Sequence, residues 1–387
     1  MDFALTEEQE LLMENLKELC DREWDEEEYN DCYYNKHETP RRFMQALVDN
    51  GFCTLGVPEE YGGTPVDLIT LVVYAIELAH YTGSSINCAT NAIAIDDIMA
   101  YGNDKQKKFI LEYITKYGQN PFALAFSEPQ AGSDSSGVLT AATKRDGKRY
   151  INGHKTMISG ALESPYMMVV TRDLEATDPK KAVTTYLVAS DAPGVRCEKL
   201  HKIGLCTDSF CEVYFEDVEV TEEDVMGVEG EGFMVTMKNF EIERLMLAAM
   251  GVGMAKACFD DAVNYANARE QFGQPIGNFQ LIQEKITDMA IKIQNMEMML
   301  LRGAWKKQNG ESIQLDSALA KRYCAIASFE VADECMQIMG GIGYTEECRI
   351  SRMWRDIRHL RIAGGTDEIM VHIAGRKILK DARKKNA

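Results

Sequence analysis

Apolar and polar positions along this chain fall into three successive textures. From Leu5 to about Gly118 the apolar residues recur at helical spacing. Thr6 and Gln9 stand at capping-box distance ahead of LLMENLKELC, and LITLVVYAIELAHY, 68–81, predicts a buried helix. PEEYGG, 58–63, lies between them and predicts a loop. From about Pro121 to Gly232 the period shortens to that of strands. TAATKRDGKRYINGHKTMIS carries Asp146-Gly147 and Asn152-Gly153, dipeptides that supply positive φ in tight hairpin turns, and YMMVV, TTYLVA and VYFEDVEV continue the strand pattern. From Phe233 onward proline occurs once, at Pro275 in FGQPIGNF. Helices are predicted over about 233–268, 281–308, 316–339 and 366–384, forming an up-and-down bundle. The expected organisation is α+β: an N-terminal helical domain over 1–119, a central β-domain over 120–232 and a C-terminal four-helix bundle over 233–387.

Composition narrows the function classes. A chain of 387 residues, 45% hydrophobic and 27% charged, predicts a globular protein of two or three packed units rather than a disordered one. Lys+Arg 42 against Asp+Glu 61 gives a formal net charge of -19, which repels nucleic-acid backbones, so a phosphate-bearing ligand needs a local basic pocket. MDFALTEEQE lacks the basic start and apolar core of a secretory signal, and no apolar run reaches membrane-spanning length. A cytoplasmic protein without nucleic-acid or membrane partners is expected. The eleven cysteines are scattered with no Cys-x-x-Cys pair, which predicts reduced, mostly buried thiols. The six histidines form no ligand-spaced cluster, and no metal is expected.

Four segments carry candidate chemistry. ALAFSEPQAGSDSSG, 123–137, is a Ser/Gly-rich loop after a strand. KTMISG, 155–160, alone would be an ordinary strand end. REQFGQPIGNFQLIQEK, 269–285, opens with an arginine at a loop start, which provides fixed donors for a pyrophosphate or simply caps a helix. QIMGGIGYTEECRISRMWRD, 337–356, contains a glycine cluster but is preceded by the helical run ASFEVADECMQIM, so a dinucleotide-binding turn between strand and helix does not fit.

Taken in order, these segments resemble the signatures of the flavin-dependent acyl-CoA dehydrogenases. The resemblance implies that family's fold, with a β-barrel-like middle domain between two helical ones and FAD at their junction. It also implies a homotetramer, with the site completed by a neighbouring subunit. Leu124, Ser127, Ser133, Met157 and Ser159 would contact the flavin; Ser127 would bond its pyrimidine edge and Ser159 its N5, while Ser133 also lies near the thioester. Phe126 replaces the family's usual aliphatic residue, and Met157 its usual aromatic wall. Arg269, Gln271, Phe272, Gln280, Gln337, Gly340 and Gly341 would reach a dinucleotide, some of them across a subunit interface, and Thr366 and Glu368 would complete the cofactor set.

One family residue is missing. Where most members carry Tyr-Glu-Gly-Thr, with the Glu as base for the acyl α-proton, this chain reads Ala363, Gly364, Gly365 and Thr366. In isovaleryl- and long-chain-specific members the Glu comes instead from the first long helix of the third domain, just before an Arg. FEIERLMLAA places Glu243 before Arg244 there, and Glu241 lies about 200° around the helix axis from it. The resemblance therefore implies Glu243 as the catalytic acid/base, with Ser133, Glu241, Arg244, Ala363, Gly364 and Gly365 about the acyl group.

Both departures occur together in crotonobetainyl-CoA reductase and related enoyl-CoA reductases. These also resemble the chain in its MDF start, FQLIQEK and ISRMWRD. An FAD-dependent enoyl-CoA reductase drawing electrons from an electron-transferring flavoprotein is expected. The alternatives are a dehydrogenase of branched or bulky acyl-CoA and a non-catalytic flavin- or CoA-binding member.

Overall fold

A computed structural model describes residues 4–174, 176–178 and 181–385. The MDF start and the last two residues lie outside them. Helices α1 (Glu7–Glu23), α2 (Glu26–Asp31), α3 (Arg41–Asp49), α4 (Leu68–Thr82), α5 (Asn91–Tyr101) and α6 (Asp104–Tyr117) come first. Eight strands follow: β1 (Phe122–Ala125), β2 (Ala141–Arg145), β3 (Lys148–Ser159), β4 (Tyr166–Arg172), β5 (Val183–Ala189), β6 (Val195–Lys199), β7 (Phe210–Val220) and β8 (Val225–Met226). Helix α7 (Gly232–Ala268) leads through the short strands β9 (Glu270–Gln271) and β10 (Gln274–Pro275) to α8 (Gln280–Gln308), α9 (Gln314–Met339), α10 (Arg349–Arg358) and α11 (Asp367–Lys385). No helix among the described residues is long and apolar enough to cross a membrane.

The chain divides into two compact units. One contains the chain up to Glu26, Val66–Ala89 and everything from Glu241 onward. Its start is fixed by the predicted capping box: Thr6 Oγ1 accepts from Gln9 N at 3.2 Å while Gln9 Oε1 accepts from Thr6 N at 3.0 Å. The four predicted long helices are α7, α8, α9 and α11. Helix α9 turns a stripe of small residues inward, including Ala318, Cys324, Ala325 and Ser328, all fully buried, and this lets neighbouring helices approach closely. Gly303 on α8 does the same for α7, since a Cβ there would stand 3.0 Å from Leu245. The short amphipathic α10, which periodicity did not separate from the motif around it, buries Ile350, Met353 and Ile357.

The second unit contains Glu27–Pro65 and Thr90–Phe240. Its sheet runs β6-β7-β3-β2-β4-β5-β8, with β1 pairing β4 in parallel. The path is open at β6 and β8, so the expected barrel-like middle domain is a mixed sheet and not a closed barrel. Central β4 is buried along Met167–Thr171, as a strand covered on both faces must be. Asp146 and Gly147, at φ 53 and 78, make the predicted two-residue hairpin between β2 and β3. Asn152-Gly153 does not turn the chain. It lies inside β3 at a register shift against β7, and a Cβ on Gly153 would sit 2.4 Å from Thr140 Oγ1. The glycine serves close strand packing at a bulge instead of a hairpin.

Candidate active site

Within the second unit, the first two signature segments meet. Thr156 N donates to Ser127 O at 2.9 Å, joining the loop after β1 to β3. A second register shift, between Lys155 and Ile158, leaves Met157 with φ 60 and 59% exposed while Ile158 returns to the core. A bulge re-aims one side chain in this way at the cost of one ladder position. The hydroxyls of Ser127, Ser133 and Ser159 are engaged by no other described residue. Leu124 is half-buried in β1, and Phe126 rests edge-on against Phe240 with ring centroids 5.8 Å apart.

The loop is anchored from below by a buried ion pair that the sequence reading missed. Lys155 Nζ donates to Glu128 Oε1 at 2.8 Å and to Phe126 O at 3.0 Å. Glu128 also accepts from Leu139 N at 2.7 Å, Thr140 N at 2.9 Å and Gln130 Nε2 at 2.6 Å. Burial alone would raise this carboxyl, but the Lys155 ammonium and these donors bring it down to about 2. Burial pulls Lys155 down to about 8, with Glu128 opposing. The available signal was parity: Lys155 shares the inward face of β3 with Ile151.

In the first unit, Glu243 and Arg244 of α7, Lys321 of α9 and the Gly364–Gly365 turn before α11 come together. Glu243 sits on α7 between buried Ile242 and Arg244. Its Oε2 is out of solvent with no hydrogen-bond partner, although part of the residue remains accessible. Burial pushes its carboxyl up to about 7, against the opposing charges of Arg244 and Lys321. Across from it, Gly364 and Gly365 occupy φ 62 and 95. A Cβ at Gly364 would lie 3.5 Å from Glu243 Oε1 and 3.0 Å from Leu247 Cδ1, so the position that carries the base in most of the family overlooks the same carboxylate. Arg244 Nε reaches Gly364 O at 3.5 Å, and Lys321 Nζ donates to Gly365 O. Ala363 is held by its N donating to His359 O at 2.9 Å. Glu241, half-buried, acts on Arg244 by charge.

The other predicted cofactor residues form separate groups in this unit. Arg269, Gln271 and Phe272 lie on the β9–β10 hairpin, where Phe272 has φ 54 and is 94% exposed, and Gln280 opens α8. The Arg269 guanidinium has no partner among the described residues. Gln337 is exposed near the end of α9, and Gly340 (φ 64) and Gly341 would meet nothing within 4 Å if given a Cβ. Thr366 Oγ1 accepts from Ile369 N at 3.3 Å and so caps α11, with Glu368 exposed in its first turn. In this unit an uncommitted guanidinium and open glycine backbone suit a phosphate-bearing ligand; in the second unit, by itself, the free hydroxyls and exposed Met157 suit a planar polar ring.

The comparisons with known proteins agree with this layout. Family models match over residues 6–117 (Acyl-CoA dehydrogenase, N-terminal domain), 123–218 (middle domain) and 230–379 (C-terminal domain). The chain is 49% identical over 385 residues to the probable acyl-CoA dehydrogenase YdiO of Escherichia coli strain K12, covering 100% of both. Among solved structures it is similar to the acyl-CoA dehydrogenase of Geobacillus kaustophilus, with a TM-score of 0.90, 30% identity, and 98% of this chain and 100% of that one covered. It is also similar to the butyryl-CoA dehydrogenase of Megasphaera elsdenii, with a TM-score of 0.89, 29% identity and the same coverage. The chain belongs to the acyl-CoA dehydrogenase family, the FAD-dependent oxidoreductases of acyl-CoA thioesters.

Proposed function

We propose that this enzyme interconverts a 2-enoyl-CoA and the saturated acyl-CoA and works as an enoyl-CoA reductase of the crotonobetainyl-CoA reductase type, with Glu243 as its acid/base. The observation that carries the reading is the desolvated Glu243 carboxyl, raised to about 7 beside Gly364. A carboxyl at that value holds a proton in a large fraction of molecules at neutral pH and can still release it, which suits delivery to the thioester α-carbon and its reversal. Ser127, Ser133, Ser159, Met157 and, from a second copy, the Arg269 hairpin would hold FAD, which in its reduced form would give a hydride to the β-carbon and in its oxidised form would take one back. Gly364 and Ala363 leave room at the acyl group that Glu and Tyr side chains would occupy, and Arg244 steadies the Gly364 carbonyl. Electrons come from an electron-transferring flavoprotein, and the working form is a homotetramer in the cytoplasm. The exposed Arg269–Phe272 hairpin and the open Gly340–Gly341 backbone favour completion of the cofactor site by a second copy.

A second reading, a dehydrogenase of branched or bulky acyl-CoA, is favoured by the kinship to YdiO. One anaerobic experiment tests both. Reduced enzyme mixed with a panel of enoyl-CoA thioesters should regain its yellow colour within seconds with at least one member, and the saturated partner should bleach the oxidised enzyme. Rapid bleaching by a branched acyl-CoA, with no recolouring by any enoyl-CoA, would favour the second reading. No colour change with any thioester would contradict both.

A further inference from the structure

Lys321 belongs to no family motif, yet it is the least exposed cation at the Glu243 cluster. It is 1% exposed and lies on the inward stripe of α9, with Ala318, Cys324, Ala325 and Ser328 one turn or two away. A lysine on such a face is costly to bury unless its charge is answered. No carboxylate oxygen stands within ion-pair distance of it among the described residues; its ammonium donates to the backbone carbonyl of Gly365. The acid that acts most on it by charge, Asp367 of α11, gives Oδ2 to Arg361 Nε at 2.7 Å and keeps Oδ1 buried without a hydrogen bond. Packing alone would be better served at this place by methionine or leucine.

Its position supplies a reason. Gly364 and Gly365 both have positive φ, which glycine adopts without steric strain, and side-chain donors reach the carbonyls of both. Arg244 from α7 answers the first and Lys321 from α9 the second. The same turn sets the backbone that faces Glu243 Oε1 at 3.5 Å from the place of a Gly364 Cβ. The charged groups acting on Glu243 are Arg244 from its own helix and Lys321 from α9. Lys321 is faced in turn by Asp367 and Glu368 from α11, and by Arg244 and Glu243 from α7.

We propose that Lys321 is a positioning residue for proton exchange at Glu243: it pins the Gly365 carbonyl, fixing the glycine turn opposite the carboxylate, and it presents a buried positive charge to that carboxylate. The inference rests on the reading of Glu243 as acid/base. Glu243 itself makes no hydrogen bond to Lys321, so the coupling acts through charge and through the turn.

The test uses the FAD-loaded enzyme and reads Glu243 directly. The infrared C=O band of the protonated Glu243 carboxyl is identified by its loss in Glu243→Gln and then titrated in wild type and in Lys321→Met, Lys321→Gln and Lys321→Arg. Removing the positive charge should move the midpoint upward by about one pH unit or more in both neutral variants, because a nearby cation favours the charged carboxylate. Lys321→Gln keeps a donor for the Gly365 carbonyl, and Lys321→Arg should return the midpoint close to wild type. If Lys321→Met does not fold, the difference between the Gln and Arg variants carries the result. Equal midpoints in the Gln and Arg variants would overturn the proposal and leave Lys321 a purely structural residue. Normal turnover of Glu243→Gln would instead sink the acid/base reading, while the infrared titration and its dependence on Lys321 would still be readable.

Discussion

Two buried carboxylates, each near a buried lysine, have opposite fates in this molecule. Glu128, under the Ser127 loop, accepts from Lys155 and from three further donors, and is held charged down to about 2. Glu243 keeps an oxygen with no partner at all, and burial lifts it to about 7 even though Arg244 and Lys321 stand nearby. Charge lowers both carboxyls, Lys155 foremost at Glu128, but hydrogen bonds add to it only at Glu128. Lys155 gives a hydrogen bond to its carboxylate, whereas Lys321 gives its bond to a backbone carbonyl. A carboxylate saturated with donors fixes structure; one that is desolvated and under-bonded is left ready to exchange a proton.

Breaking the Glu128 side of this comparison should have the largest effect on stability. Lys155→Met leaves a buried, charged Glu128 without its cation and should cost about 3–5 kcal/mol in denaturant unfolding. The loop bearing Ser127 and Ser133 should loosen with it, so flavin retained through gel filtration should fall. The wild-type pair also has an acid signature. Because the folded Glu128 value lies below the ordinary 4.5, its stabilisation is present above about 4.5 and is lost as pH falls toward about 2.

Crowding the Glu243 side should have a smaller effect. Gly364→Glu forces a side chain into φ 62 and starts it 3.5 Å from Glu243 Oε1. The backbone strain should cost about 1–2 kcal/mol, and the added negative charge should drive the Glu243 midpoint further up. In a Glu243→Gln background the same substitution should recover part of the lost turnover, because the new carboxylate begins beside the old one.

The sign of Glu243's own pH effect distinguishes it from Glu128. Its folded value is raised from 4.5 to about 7, so the folded state binds more protons between those values and stability from this group falls as pH rises through that window. Glu243→Gln should therefore become more stable relative to wild type as pH rises, with the gap levelling off above about 7. Thermal unfolding across pH 4 to 9, on the order of that window, reads it. The smallest effect is expected from Glu241→Gln, which should change stability by no more than about 0.5 kcal/mol and turnover only slightly.

How much of this was legible in the sequence follows from the range of the interactions. The order of helical, strand and helical segments, the Thr6 capping box and the Asp146-Gly147 hairpin depend on local spacing, and the chain alone specifies them. Asn152-Gly153 shows the limit of local rules. The same dipeptide chemistry serves a bulge when Thr140, just before β2, needs the room of a missing Cβ. Glu243 before Arg244 carries a family resemblance in local sequence, but its burial depends on chain segments far away in sequence. Lys321 and the Gly365 carbonyl are 44 positions apart, and Lys155 and Glu128 are 27 apart, so neither partnership has a local signature. Helical or strand parity marked both lysines as inward-facing, and that was the available clue.

The central claim is that Glu243 moves the α-proton. The most direct measurement is the single-turnover rate of flavin colour change with a CoA thioester in Glu243→Gln, in preparations whose flavin content and thioester affinity match wild type. The account predicts a fall of about 10²–10⁴-fold or more. A rate within a few-fold of wild type would assign the proton to another group or to water and contradict it.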